Sequence, residues 1–99
     1  MTRFRFRPLA LEDLQNLLAH IASENPRAAL RMHDSILETC ATLGDNPEIA
    51  TELEGLSVSG VRRFQVTHYS RYSIFYKIVD NSVEIIRLGY GGRDWEHII

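Results

Sequence analysis

A chain of 99 residues supplies one modest core, since a domain of this size buries about two thirds of the surface its unfolded form exposes. Apolar content of 44% and charged content of 24% are ordinary for a globular domain, and no apolar run reaches the roughly 18–20 residues of a membrane span. The net charge of −2 hides an uneven distribution: residues 1–7 carry +3, residues 8–59 carry −7, residues 60–93 carry +4 and residues 94–99 carry −2.

The N-terminal "MTRFRFRPLA" has no apolar stretch of the kind that marks a secretory signal, and Cys40 has no second cysteine to pair with. A single domain over residues 1–99 in a reducing, cytoplasmic compartment is expected. Ten of the eleven basic residues are arginine, whose planar fork suits carboxylate or phosphate.

"RFRFR" alternates strictly and predicts a half-buried strand that Pro8 ends. "LALEDLQNLLAHIAS" changes to helical period, with Leu11, Leu14, Leu17, Leu18 and Ile21 on one stripe. "ENP" separates this helix from the next, with Asn25 as cap and Pro26 in the first turn. The second helix aligns Ala29, Met32, Ile36, Cys40 and Leu43, and Gly44 is placed as its stop. Cys40 and Met32 are read as core packing, and His20 and His33 as surface residues.

Residues 45–60 are acidic and turn-rich. They are expected to lie along the core, pinned by Ile49, Leu53, Leu56 and Val58. Three strands follow, "VRRFQVT", "YSIFYKIV" and "VEIIRL", the last apolar on both sides as in a central strand. The turns "HYSR" and "DNS" are short enough for antiparallel hairpins. The order is β-α-α-β-β-β. It predicts a two-layer α+β domain, with an antiparallel helical hairpin on a mostly antiparallel four-stranded sheet and a short C-terminal turn or helix at "WEHII". The opposite sheet face, or its rim, is expected to hold Arg62 or Arg63, Arg87 and the tip "GYGGRD".

No histidine or cysteine spacing suits a metal, and no cofactor is expected. "GYGG" lacks the Lys-Ser/Thr of a phosphate loop. Its glycines are read as a sharp exit from the strand at positive φ. Cleaving RNA requires a base, an acid and cations on the phosphorane, and His68, Tyr90, His97, Arg62, Arg63 and Arg87 are residue types that serve those roles.

Four segments in this order, "PLALEDLQNLLAHIASENPRAAL", "GVRRFQV", "YSRYSIFYKI" and "VEIIRLGYGGRD", resemble the RelE/ParE superfamily, the toxins of bacterial type II toxin–antitoxin and plasmid-stabilisation modules. The likeness is greater to ParE, through the "NP-x-AA" junction and the terminal strand leading into an "HGxRD"-like tip, which reads "YGGRD" here. The resemblance implies a toxin that inhibits DNA gyrase by binding, without catalysis. It also implies neutralisation by an antitoxin with an acidic binding segment, in a toxin–antitoxin hetero-oligomer. Candidate target-binding residues are then Arg62, Arg63, Arg71, Arg87, Tyr90 and Arg93. The alternative is a RelE-like ribosome-dependent mRNA endonuclease acting through Arg62, Arg63, Arg87 and Tyr90. Tyr90 stands where the ParE tip has histidine. The net charge of −2 favours the gyrase-directed reading, because docking on ribosomal RNA gains affinity from many cations.

Overall fold

The structure is a computed structural model that describes residues 3–91 and Ile99. Its elements run β1 (Phe4–Phe6), α1 (Pro8–Ala22), α2 (Pro26–Asp45), β2 (Arg62–Val66), β3 (Tyr69–Val79) and β4 (Ser82–Tyr90). The sheet order is β1-β4-β3-β2. The pairs β2–β3 and β3–β4 are antiparallel, and β1 lies parallel to β4. The predicted α+β architecture is therefore the one observed. "WEHII" lies largely outside the described residues.

Local chemistry explains the helix boundaries. Pro8 occupies the first turn of α1, where a missing N–H costs nothing. Asn25 caps α2 by accepting the Ala28 amide on Oδ1 at 3.1 Å, with Pro26 in the first turn. Gly44 is not a stop, because α2 runs on to Asp45. The glycine serves close approach: a Cβ there would meet the backbone nitrogen of Arg3 at 3.1 Å.

The main core lies between the hairpin and one sheet face. Leu14, Met32, Ile36, Cys40 and Leu43 meet Val66, Ile74, Tyr76, Val83 and Ile85. Leu17, Leu18 and Ile21 are half-buried against it, whereas Leu11 is 45% exposed, on the outer margin of the stripe. Burial pushes the Cys40 thiol up to about 12, which keeps it protonated and inert.

The opposite sheet face, one of the two places expected for Arg62 or Arg63, Arg87 and the tip, carries an apolar cluster. Val61, Phe75 and Ile86 form a second buried cluster there, flanked by Leu53, Leu56 and Ile99. The segment between α2 and β2 folds over the sheet, so the aromatic and aliphatic residues of that face leave water. Three contacts hold the segment. Tyr76 donates its hydroxyl to the Pro47 carbonyl at 2.8 Å, the Leu53 amide donates to the Val61 carbonyl at 2.8 Å, and Arg62 donates to the Ala50 carbonyl. Of the predicted pins, Leu53 and Leu56 pack, whereas Ile49 and Val58 stay exposed.

β1 is only three residues long, and side-chain charge reinforces its pairing. Glu84 on β4 is buried and accepts from Arg5 and from Arg7 Nε, the latter at 2.7 Å. The hydrogen bonds from Arg5 and then Arg7 lower the Glu84 carboxyl below its ordinary 4.5. A lowered folded-state value gives stability that is fully present above 4.5 and is lost as pH falls through the folded value. Wild-type protein is therefore expected to melt higher than Glu84→Gln at neutral pH. The two melting temperatures should converge as the pH drops well below 4.5. A constant gap across that range would contradict the role given to Glu84.

Candidate functional site at the end of the last hairpin

The far end of the β3–β4 hairpin is set by one irregularity. Tyr76 pairs with Ile85, and Phe75 pairs with Arg87, so Ile86 is an extra residue in β4. Such a bulge bends its strand and re-aims the neighbouring side chains. Ile86 turns into the second cluster. Arg87 reaches across the β4 edge to α1, where Asp13 Oδ2 accepts from its Nε at 2.8 Å and Oδ1 accepts from Nη2 at 3.0 Å. The same carboxylate accepts the Leu88 amide on Oδ2 at 3.0 Å.

This placement has a structural reason. β1 pairs with β4 only at Val83, Glu84 and Ile85, and the chain then turns into α1. The β4 edge beyond that point has no strand beside it among the described residues, and Asp13 supplies the missing acceptor for Leu88. The hydrogen bond that Arg87 donates to Asp13, above all, raises the guanidinium above its ordinary value.

Past the clamp, β4 presents its tip. Gly89 stays in the ladder opposite Ser73, and Gly91 takes φ +86° and donates its amide to the Arg71 carbonyl at 2.9 Å. The positive φ expected of these glycines is thus found at Gly91, where only glycine is unstrained. Tyr90 lies opposite Tyr72 on β3, with ring centroids 4.8 Å apart at 60°. Tyr72 is half-buried against the main core, while Tyr90 is 63% exposed. His68, Tyr69, Arg71, Tyr72 and Tyr90 share a shallow depression of about 350 Å³. Desolvation first, and then Tyr90, raises the Tyr72 hydroxyl above its ordinary value, so Tyr72 stays protonated.

The sequence-derived candidates therefore separate. Arg71 and Tyr90 come together at this rim. Arg63 lies on β2 and donates from Nε to Ser73 Oγ at 3.0 Å. Arg62 binds the Ala50 carbonyl and approaches Glu52, with its side chain 16% exposed, and so holds the segment before β2. Arg87 is held by Asp13. Arg93 and His97 lie outside the described residues. Sequence reasoning missed Asp13 and Tyr72. Asp13 sits off the leucine stripe beside Leu14, and Tyr72 continues the period of Ile74 and Tyr76, so only the pairing of β4 with its neighbours gives either a role. Among the described residues, no three His, Cys, Asp or Glu side chains group closely enough to hold a metal.

A family model for the ParE toxin of type II toxin–antitoxin systems (parDE) matches residues 4–95. The chain belongs to the ParE toxin family. Solved structures agree at the level of fold. The chromosomal ParDE toxin–antitoxin system from P. aeruginosa contains a chain of TM-score 0.75 and 19% identity, over 93% of this ParE-family chain and 98% of that one. A chain in the YoeB–YefM complex from Staphylococcus aureus matches with TM-score 0.60 and 20% identity, over 93% and 99%. No curated protein matches this chain. Among the described residues, no helix is long and apolar enough to cross a membrane.

The clamp carries a direct expectation. Asp13→Ala removes a charge-assisted pair and the acceptor for the Leu88 amide, and should cost on the order of 2 kcal/mol in denaturant unfolding. The Leu88 amide should also exchange with deuterium far faster in the folded variant. Unchanged exchange at Leu88 would show that Asp13 does not hold the β4 edge.

Proposed function

We propose that this chain is the toxin of a type II toxin–antitoxin module, that it inhibits DNA gyrase by binding, and that a cognate antitoxin neutralises it in the cytoplasm. Membership of the ParE family supports the module assignment. The rim supports a binding mode. Tyr90 offers a large exposed aromatic face, backed by Tyr72 and flanked by Arg71. Aromatic and arginine side chains dominate the energetics of protein contacts, because they bury much area and still form hydrogen bonds. Arg63, on β2, and Arg87, positioned through Asp13, are further candidate contacts, and Arg93 is one from the sequence alone.

The observation that weighs most against catalysis is the placement of the cations. An endonuclease needs positive charge converging on one phosphorane. Arg62 is instead turned to the Ala50 carbonyl, and Arg87 to Asp13. Neither contact is the kind a reaction site requires, and both are explained by holding chain segments in place. Binding through the rim needs only shape, an exposed ring and hydrogen bonds.

Tyr90→Phe separates the two modes. It keeps the ring and removes one hydroxyl. For a binding surface the loss is about 0.5–1.5 kcal/mol, the net value of one hydrogen bond. For a general acid or base the chemical step falls roughly 10²–10⁴-fold. Purified toxin is expected to inhibit gyrase supercoiling, to leave end-labelled mRNA on translating ribosomes intact, and to keep most of its inhibition in Tyr90→Phe. Codon-specific cleavage in the ribosomal A site that disappears in Tyr90→Phe would replace this reading with that of a RelE-like endonuclease.

A further inference from the structure

A second hollow of about 360 Å³ opens where β1 passes into α1, against the segment before β2. Its apolar wall includes Leu9, Val58, Ile86 and Ile99, and its cations are Arg7, Lys77 and Arg87; among the described residues no acidic side chain lines it. Leu9 is 55% exposed and Val58 37%, so two large aliphatic side chains are left facing water beside one another. The arginines around the hollow already have carboxylate partners. Arg5 and Arg7 both bind Glu84, and Arg87 binds Asp13. Lys77 pairs in register with Glu84 across the β3–β4 ladder, yet that carboxylate is already taken by the two arginines. Lys77 has no carboxylate partner among the described residues. Its ammonium thus borders an apolar floor.

We propose that this hollow docks an acidic segment of the antitoxin, seating one aliphatic or aromatic side chain between Leu9 and Val58 and a carboxylate on Lys77. The proposal rests on the reading that an antitoxin neutralises the chain, and it assigns where and by what chemistry part of that contact is made. Burying an apolar side chain there removes the exposed faces of Leu9 and Val58 from water. A carboxylate beside that side chain supplies the partner Lys77 lacks, and the surrounding positive charge steers the encounter. A nucleic-acid strand would satisfy the cations but leave the aliphatic walls unexplained. A second copy docked about a two-fold axis would bring the same cations together.

The test uses the full chain and its cognate antitoxin. Leu9→Glu and Lys77→Glu alter exposed or half-exposed positions, so both variants should fold, as checked by circular dichroism and melting. Each should weaken the complex by about tenfold or more, the loss expected when a charge is reversed or introduced within a contact. Lys77→Glu should also flatten the dependence of affinity on salt. Arg31→Glu, on an exposed position of α2, should leave binding unchanged. A complex equally tight with Leu9→Glu and Lys77→Glu would overturn this docking site and leave the antitoxin reading standing. Failure of the wild-type chain to bind any antitoxin would overturn both. A single-stranded oligonucleotide whose binding is lost in Lys77→Glu while antitoxin binding persists would overturn the assignment of the occupant.

Discussion

One carboxylate governs how the sheet of this protein ends. β1 is too short to cover β4, and an uncovered strand edge exposes backbone donors and acceptors. Asp13 takes the Leu88 amide and the Arg87 guanidinium at once. It does so from α1, so the helix that fills the main core through Leu14 also fixes the direction in which β4 leaves the sheet. The bulge at Ile86 makes this geometry available by swinging Arg87 toward the helix while Ile86 enters the second cluster. Tyr90 and Gly91 follow two and three residues after Leu88. Their presentation at the rim is therefore coupled to the packing of α1.

Most of the fold was legible because period and punctuation carry it. The leucine spacing, the Asn25-Pro26 junction and the alternation in "RFRFR" each reflect a backbone requirement that is local in sequence. Gly44 shows where local reasoning stops. A glycine near a helix end reads as a cap, but here it lets α2 approach Arg3, a contact between residues far apart in the chain. The second cluster was illegible for a similar reason. Phe75 and Ile86 read as one face of their strands, and only the folding of the 46–61 segment over them decides that this face is covered.

The site was legible in composition and less so in arrangement. Arginines in the last three strands drew attention, yet their roles diverge once partners are placed. Arg62 secures a loop, Arg63 spans β2 and β3 through Ser73, Arg87 is clamped, and Arg71 remains at the rim with Tyr90. The division follows from register. A shift of one residue at Ile86 determines which of these side chains meets a carboxylate, and no pattern within one strand reveals a bulge whose cause lies in its neighbours. Asp13, which takes Arg87, and Glu84, which takes Arg5 and Arg7, are unremarkable in the sequence because their partners lie 74 or more positions away.

The central claim is that the rim formed by the ends of β3 and β4 is the surface that meets the target. Hydrogen exchange of the toxin alone and mixed with gyrase tests it most directly. The account predicts slowed exchange on binding at 68–72 and at 88–91, with the outer face of the helical hairpin unchanged. Protection confined to the helices, with the rim exchanging as freely as in the isolated toxin, would contradict it.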